Sequence, residues 1–439
     1  MLFRSLSLAS SFSIVGILTA LAFLLPEVEG YFQESGVKLK RILPPIAAIW
    51  ALSSMGVFLS ELAVIVDKPL LEIFSGNLIR SFALQVILGK LLLINILSAL
   101  ILLIFVSTIK RTGGALALLI ITLLGLLAPY LENHSSSSGH HMLAIGLVLV
   151  HVLALSLWIG GLIALALITK EERKFAAGRF HSIALWSLLA VALSGVVNGW
   201  VRLGTIANIT SNYGAILVAK TLLLALIFMV AFTFRARQRK NFDDGVLSRQ
   251  LGIEGALFGI TMVFAVILSR IAPPEVSLST PINPILGSTM PQTPTFSRLL
   301  LGYEPNGFFL ALLILAVALY IKGVVLLARR GDKWPVHRTI FFALGISVAD
   351  FAVNGGLGVY SHVAFSFHMV AHMALATLAP IGIALGAPIT LALRTLPIGR
   401  SATERGIRGL ALAILHSRYS RFLTNPIVDR KSTRLNSSH

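Results

Sequence analysis

The chain has 439 residues, of which 56% are hydrophobic and 12% are charged, and its formal net charge is +18. Its apolar residues fall in runs of about 20, the length that crosses a bilayer as a helix, which excludes a soluble globular protein. The chain contains no cysteine, so disulfides, thiolate metal sites and cysteine nucleophiles are excluded. Any soft metal ligand must therefore be methionine or histidine.

Eleven apolar runs follow one another along the chain. A backbone in hydrocarbon must be helical or form a closed barrel, and these runs are far too long for barrel strands. We therefore predict an all-α fold, a polytopic transmembrane helical bundle of about eleven spans in two bundles. The predicted spans are residues 12–25, 44–62, 82–106, 114–131, 142–168, 181–201, 215–234, 251–271, 308–327, 339–353 and 359–385.

Lysine and arginine collect in loops that alternate with loops poor in both. The positive-inside rule places the basic loops in the cytoplasm, and it predicts a multi-pass protein of the plasma membrane in contact with the lipid bilayer. No basic patch is interleaved with exposed aromatic residues, so nucleic-acid binding is not predicted. The basic loops are 110–111, 170–179, 235–240 and 329–338, and the others are 132–141, 202–214 and 272–306.

The two ends of the chain and its longest loop suggest limits for the domains. Parity places the N-terminus outside with no span before it, so we expect a helix to be missing there. The polar residues 429–439 have no hydrophobic pattern and predict a tail that is disordered or not native to the protein. Residues 272–306, rich in proline, serine and threonine, are predicted to separate the two bundles.

The fifth span carries a histidine within the membrane. His151 lies about nine residues in from the outer end, or roughly 13 Å deep, so it should face the bundle interior and have a partner. It is either a structural histidine bonded to a neighbouring helix or a metal ligand. The serine-rich loop ahead of it carries His134, His140 and His141, which either collect a soft or borderline cation or simply face solvent.

Other spans carry isolated polar or small residues for which structural roles are the simpler interpretation. Gly160 and Gly161 predict a close contact between helices. Ser194 and Asn198 share one helix face, which suits hydrogen bonding between helices. Glu254 lies near the cytoplasmic end of its span, and for Asp350 we expect a structural partner.

The eleventh span carries three histidines and two methionines. On one helix, His368 and His372 share a face, Met369 and Met373 form a second stripe about 100° away, and His362 would lie almost directly above Met369. Imidazole with thioether is a ligand set suited to copper, Cu(I) more than Cu(II). The alternative is histidines bonded to other helices with methionines as core filler. A zinc-protease motif is excluded, because Met369 stands where that motif needs glutamate.

The sequence also resembles two known families. HVLALSLWIGGL, RFHSIALWSLLAVALSGVVNGWVRLG, SNYGAILVAKTLLL and GIEGALFGITMVFAVILSRIAPPE resemble the CopD copper-resistance domain. GDKWPVHRTIFF and YSHVAFSFHMVAHMALATLAPIGIALGAP resemble the CtaG family of cytochrome c oxidase assembly proteins. Their order is similar to that of the fused CopD/CtaG proteins of actinobacteria, which implies a bacterial plasma membrane.

The resemblance implies domain limits and residue roles. The segments would be N-terminal transmembrane helices at 1–130, a CopD-like copper-handling domain at 131–271, an extracytoplasmic linker at 272–306, a partial CtaG-like domain at 307–428 and the tail at 429–439. His368 and His372 match the paired histidines of the CtaG motif. His151, Trp158, Gly160 and Gly161 match the CopD helix. The CtaG part stops where the family continues, so we expect the chain to be truncated at both ends.

The resulting prediction is copper uptake across the membrane coupled to copper supply for cytochrome c oxidase assembly, without enzymatic activity. Copper would be captured near His134, His140 and His141, pass His151, and be held on the eleventh span. The expected partners are oxidase subunits or an extracytoplasmic copper chaperone. Two alternatives stay open. One is a b-type haem electron carrier, with His151 and either His368 or His372 as axial ligands. The other is an assembly factor that binds oxidase subunits without metal.

Overall fold

The computed structural model of the protein describes residues 2–74, 77–132, 141–240, 243–268, 271, 274, 282–283, 288–397 and 406–417. The predicted tail at 429–439 lies outside these residues, and so does part of the predicted linker, residues 272–273, 275–281 and 284–287. The domain limits given above stay predictions.

The described residues are almost entirely helical. Two short hairpins pair Glu27–Val28 with Tyr31–Phe32 and Ile282–Asn283 with Ser288–Thr289. The helices are α1 Leu2–Thr19, α2 Glu34–Val66, α3 Leu78–Gln85, α4 Ile87–Phe105, α5 Thr112–Leu127, α6 His141–Leu167, α7 Lys170–Leu203, α8 Asn212–Lys240, α9 Asp244–Leu268, α10 Phe296–Leu301, α11 Gly307–Arg329, α12 Val336–Val353, α13 Gly356–Ser361, α14 Phe365–Met373, α15 Ala379–Leu385, α16 Pro388–Thr395 and α17 Gly406–Leu415.

Ten helices in the described part of the chain are long and apolar enough to cross a membrane. The predicted class, an all-α polytopic membrane bundle, is confirmed. The eighth predicted span, 251–271, lies on α9, which is a helix but is not among these ten. The ten are Leu2–Leu24, Glu34–Val66, Ile87–Phe105, Thr112–Glu132, Met142–Leu167, Lys170–Leu203, Asn212–Phe234, Gly307–Arg329, Val336–Val353 and Phe365–Thr395.

The first span begins at Leu2, ten residues earlier than predicted. Its first turns are polar, and this concealed them from a hydropathy argument. The structure satisfies these groups locally: Arg4 forms an ion pair with Glu61 of α2, and the Ser7 hydroxyl lies 3.2 Å from that of Ser54. The Ser10 hydroxyl donates to the Leu6 carbonyl at 2.6 Å. Paired in this way, polar residues are tolerated in a membrane helix.

The centre of the first bundle is α1, which packs against α2, α5 and α6. Ile14, Val15, Ile17 and Leu18 are fully buried, and so is Trp50 of α2. Where α1 meets α6, a side chain added at Gly16 would collide with the backbone of Gly160. The two backbones therefore touch, which confirms the close contact predicted at Gly160 and is the packing that small residues permit in membranes.

The second half of the chain is joined to the first through α6 and α11. A Cβ at Gly146 of α6 would collide with the backbone at Phe308, and Gly307 lies equally close to α6. The start of α11 is thus held against the outer half of α6.

A buried polar cluster ties the chain ahead of α11 to the end of α12. Asn354 is fully buried, its side-chain amide donates to Asp350 Oδ1 at 2.8 Å, and its side-chain oxygen accepts the backbone N–H of Asn306 at 2.8 Å. The Tyr303 hydroxyl also donates to Asp350 Oδ1, at 3.3 Å. Asp350 therefore has the structural partner that was expected for it.

The Gly16–Gly160 contact predicts a sharp response to one methyl group. Gly160→Ala forces α1 and α6 apart, and overpacking of this kind costs about 1–3 kcal/mol. Thermal unfolding of the detergent-solubilised protein is the measurement, and a lowered midpoint is expected. Gly259→Ala on α9 is the matched control, because a Cβ there meets nothing within 4 Å. Equal midpoints for the two variants would contradict the contact.

Candidate metal sites in the membrane bundle

His151 lies on α6, half-buried, and faces α7. Its Nδ1 is 3.0 Å from the hydroxyl oxygen of Ser194. Glycine at position 195 leaves room for the ring, since a Cβ built there would lie 3.4 Å from His151 Cε1. The imidazole thus has the interhelical partner that its depth requires.

The hydrogen bonds of Ser194 favour one tautomer of His151. The Ser194 hydroxyl oxygen lies 2.5 Å from the Ala190 carbonyl and 3.2 Å from the Val191 carbonyl. With its proton on either carbonyl, the Ser194 oxygen accepts from the ring and His151 Nδ1 is the donor. In that tautomer the lone pair is on Nε2, the atom that a neutral imidazole offers to a metal. A structural bond at one nitrogen and a ligand role at the other are compatible.

The predicted outer capture site lies almost entirely outside the described residues. His134 and His140 lie outside the described residues, and of His141 only its place as the first residue of α6 is described. Their role stays a prediction.

The prediction that His362 shares one helix with Met369 is wrong. α13 ends at Ser361, His362 caps it, and Ala364 is extended, with φ −133° and ψ 127°, before α14 begins at Phe365. The chain turns here because the Tyr360 carbonyl accepts the N–H groups of both Val363 and Ala364, at 3.1 and 3.0 Å. Such paired bonds close the last turn of a helix.

α13 is itself fixed in place by the segment before α11. The Tyr360 hydroxyl donates to the Gln292 carbonyl at 2.8 Å. Gly356 packs so closely on the carbonyls of Arg298 and Leu299 that no side chain fits. A continuous helix through position 362 would break these contacts.

His368 and His372 do share a face of α14. Their ring centroids are 6.5 Å apart with planes inclined by 38°, and the Phe365 ring lies 6.4 Å before His368. One helical turn between them produces this pairing. Met369 and Met373 are also one helical turn apart on α14.

All four of these side chains are exposed on the surface of the described bundle. Met369 is 42% exposed and Met373 is 55% exposed, whereas Ala371 between them is 5% exposed and packs near Ala352 and Leu357. α14 therefore buries its alanine side and presents imidazole and thioether outward. His362 is exposed as well.

The helix changes its winding directly after these residues. Ala374–Leu378 forms a π-helical turn, and Pro380 follows it. Proline has no N–H and its ring presses on the preceding turn, which a wider turn relieves. Such π-helical turns are frequent at functional sites. Beyond it, a close contact between Gly382 and Gly345 fastens the helix to α12.

Nitrogen and carboxylate ligands alone do not form a metal centre in the described residues. There, no group of three or more histidine, cysteine, aspartate or glutamate side chains lies close enough to hold an ion. Beside His368 and His372, the soft donors on the same helix are the two thioethers, and Ser366 adds a hydroxyl. Two imidazoles with thioether favour Cu(I) over harder ions.

Comparisons with known families agree with this ligand chemistry. Residues 174–268 match the family model of copper resistance protein D, CopD. Residues 318–430 match that of the cytochrome c oxidase caa3 assembly factor, Caa3_CtaG. One chain thus carries a segment that matches the CopD model ahead of a segment that matches the Caa3_CtaG model. The resemblance seen in the sequence is confirmed, and neither family is named for a catalysed reaction. His368 and His372 lie in the CtaG match, whereas His151 lies ahead of the CopD match.

Three mycobacterial proteins are similar to part of the chain. Uncharacterized proteins of Mycobacterium bovis and Mycobacterium tuberculosis are each 37% identical to it over 142 residues, which is 32% of this chain and 22% of theirs. An uncharacterized protein of Mycobacterium leprae is 31% identical over 144 residues, 33% of this chain and 22% of its own. The match thus spans about a fifth of the length of these relatives. No solved structure matches.

Two features with functional potential were not predicted from the sequence. One is Gln250, which donates to Glu254 inside the bundle, and the other is Asn354 in the buried cluster on α12. Each lies four residues from an acidic residue on the same helix. That i, i+4 spacing is the signal that identifies such pairs.

The orientation of α14 can be tested in this cysteine-free chain by placing single cysteines. Met369→Cys puts a thiol on the outward face, and Ala371→Cys puts one on the buried face. A small maleimide in detergent should modify the thiol at position 369 about ten-fold faster or more, because burial among apolar groups suppresses thiolate formation and access. Equal rates at the two positions would contradict the outward placement of the methionine stripe.

Proposed function

We propose that this chain moves copper across the membrane through its CopD segment and supplies copper for oxidase assembly through its CtaG segment. A membrane protein with copper-related and oxidase-assembly segments is what the family matches support. The proposal that the chain binds and delivers copper rests on the pair His368 and His372 on α14, which is flanked by two thioethers.

The chemistry of α14 suits the transfer of copper. Imidazole and thioether bind Cu(I) without requiring a rigid cage, and both can be exchanged for ligands of another protein. Because the four side chains lie on the outward surface of the described bundle, an oxidase subunit in the membrane, or a chaperone that contacts the outer end of α14, can supply the remaining donors. The copper ion is thus the cargo of this helix.

The position of α14 agrees with delivery on the outer side of the membrane. The basic loop 329–338 is cytoplasmic by the positive-inside rule, so α12 runs outward and α14 begins near the outer surface. His368 and His372 lie three and seven residues into α14, about 5 and 10 Å along the helix. They are therefore in the outer half of the membrane.

His151 provides the proposed contact for copper within the first bundle. It lies ten residues after the start of α6, or about 15 Å along the helix from the outer end. Its Nδ1–H bond to Ser194 leaves Nε2 for the ion. We propose the order of travel as capture at His134, His140 and His141, then His151.

Removal of both imidazoles tests the α14 site. The variant with His368→Ala and His372→Ala should bind Cu(I) more than about 100-fold more weakly, since loss of a mere outer-shell partner already costs 10–100-fold. Competition with a coloured Cu(I) chelator on the purified full chain is the measurement. His337→Ala, which removes an exposed histidine from α12, is the control and should bind as the parent does. Unchanged stoichiometry and affinity in the double variant would remove this site.

A visible absorption spectrum of the same purified protein distinguishes the copper proposal from the haem alternative. A b-type haem held by membrane histidines gives a strong Soret band, and the copper proposal requires that none be present. A protein that keeps its association with oxidase after loss of every intramembrane histidine would instead support a metal-independent assembly factor.

The uptake step is tested in cells. His151→Ala should lower copper accumulation in cells that express the protein, because the Nε2 ligand is lost from the path. Ser194→Ala keeps the imidazole but removes the hydroxyl that holds the proton on Nδ1, so a smaller decrease in copper accumulation is expected. Metal analysis of washed cells, normalised to the amount of protein, is the measurement. Accumulation equal to that of the parent in His151→Ala would exclude this residue from the path.

A further inference from the structure

The cytoplasmic end of the second half of the chain carries a dense group of positive charges. The loop between α11 and α12 meets the end of α16 here, and the described residues of this surface include one carboxylate, that of Asp332. Like charges that are gathered on one surface repel one another, and a bound anion lowers that repulsion. The basic side chains, together called the basic face, are Arg329, Arg330, Lys333, Arg338 and Arg394.

The end of α16 is fastened to the loop between α11 and α12. Arg330 Nη1 donates to the Arg394 carbonyl at 3.2 Å, and Arg394 Nη2 lies 3.7 Å from Asp332 Oδ1. Farther into the membrane, a Cβ built at Gly323 of α11 would lie 2.9 Å from Leu391 Cγ of α16, so the two helices pack closely. Basic residues from two separate segments therefore share one surface.

The indole of Trp334 is the fixed centre of the basic face. Its N–H donates to the Tyr320 hydroxyl oxygen at 3.1 Å, and that hydroxyl donates to the Gly386 carbonyl at 2.9 Å. The Tyr320 ring is stacked on that of Phe342, with centroids 4.0 Å apart and planes inclined by 7°. Both of these rings are buried, so the half-buried indole is held at the edge of the core. Such a position is typical of tryptophan at a membrane–water interface.

Two guanidinium groups lie against this indole. The Cζ atom of Arg338 is 5.0 Å from the centroid of the Trp334 ring, and that of Arg394 is 6.0 Å from it, which is the range of cation–π attraction. Stacking uses the flat face of a guanidinium and leaves its in-plane N–H groups to donate elsewhere. The Arg338 guanidinium donates to no group of the described residues. A planar fork of this kind matches the oxygens of a phosphate.

An apolar stripe of α12 runs from the basic face into the membrane. Val336, Ile340 and Leu344 are all exposed, and each lies four residues after the one before. Residues at this spacing share one side of a helix. A molecule with an anionic head and hydrocarbon chains can therefore contact both surfaces, whereas a soluble phosphate contacts only the basic face.

We propose that the basic face binds the headgroup of an anionic phospholipid of the inner leaflet. The phosphate oxygens accept hydrogen bonds from Arg338 and Arg394, and the acyl chains lie along the exposed stripe of α12. The positive-inside rule places the loop 329–338 in the cytoplasm, and basic pockets between helices on that side suit such headgroups.

This lipid holds the cytoplasmic end of the span that also carries the histidines of α14. α14, α15 and α16 belong to one span, Phe365–Thr395, and Arg394 lies one residue before its end. A headgroup shared by Arg338 and Arg394 joins α12 to α16, as the contact between Gly345 and Gly382 joins the same span to α12 within the membrane. Lipid binding does not rest on the proposed copper function.

Titration with lipid, followed by native mass spectrometry, tests the site. The purified full chain in a non-ionic detergent receives phosphatidylglycerol or, separately, phosphatidylcholine with the same acyl chains. We expect the first phosphatidylglycerol to bind about ten-fold more tightly or better, because the phosphatidylcholine headgroup has no net charge. Glycerol phosphate in equal amount should not displace the lipid, since it lacks the chains that contact α12.

Two changes to the guanidinium groups test the geometry. The variant with Arg338→Gln and Arg394→Gln should bind the first phosphatidylglycerol about ten-fold more weakly or worse. Arg338→Lys keeps the charge but loses the planar fork, so a several-fold loss is expected. The matched control is the variant with Lys68→Gln and Arg80→Gln, which removes two exposed charges from the outer side of the first bundle and should bind as the parent does.

Asp332→Asn gives a result that misfolding cannot produce. Its carboxylate lies beside Arg394 and repels an anionic headgroup, so removal of the charge should tighten binding about five-fold.

Five results would overturn the proposal. They are equal affinity for the two lipids, displacement by glycerol phosphate, parental affinity in the double glutamine variant or in Arg338→Lys, a loss in the outer control as large as in the double glutamine variant, and no gain in Asp332→Asn. None of these measurements involves copper. Failure here therefore leaves the copper function intact, and loss of copper binding at His368 and His372 leaves the lipid site intact.

Discussion

Contact between helix backbones at glycines is the constraint on which the rest of the structure depends. In lipid, helices gain little from apolar burial against one another, so close van der Waals contact must hold them together. α6 shows this most clearly, since it meets α1 at Gly160, α7 at Gly161 beside the Phe180 ring, and α11 at Gly146. With these faces in contact with α1, α7 and α11, His151 lies on the side of α6 that faces α7, 3.0 Å from the Ser194 hydroxyl oxygen.

The segment that matches the CtaG model differs, because the last membrane span among the described residues is interrupted rather than regular. The helix is broken at His362, widened at Ala374–Leu378 and broken again at Ala387, where φ is +49°. Irregular backbone in a membrane needs support from neighbouring helices. Here α13 is held by Gln292 and by the segment before α11, while α12 holds the helix at Gly382. The short helix α14 between these supports is left to present its histidines.

The sequence indicated those features that depend on periodicity along one helix. Spans, the pairing of His368 with His372, and the small-residue contact at Gly160 all follow from spacing and residue type. Three other features depended on contacts between distant segments. The polar start of α1 is satisfied by Glu61, the helix that ends before His362 is held by Gln292, and the outward side of α14 is the side opposite the buried Ala371. None of these contacts is visible in the spacing of a single helix.

The polar groups of the bundle fall into two environments that suit different tasks. The His368 and Met369 stripes are exposed, so their ligands can be completed by another molecule and exchanged for its ligands. His151 is half-buried and Glu254 is buried, and their side chains form hydrogen bonds with Ser194 and Gln250 respectively. The two groups of side chains therefore differ in whether the described bundle or another molecule completes their contacts.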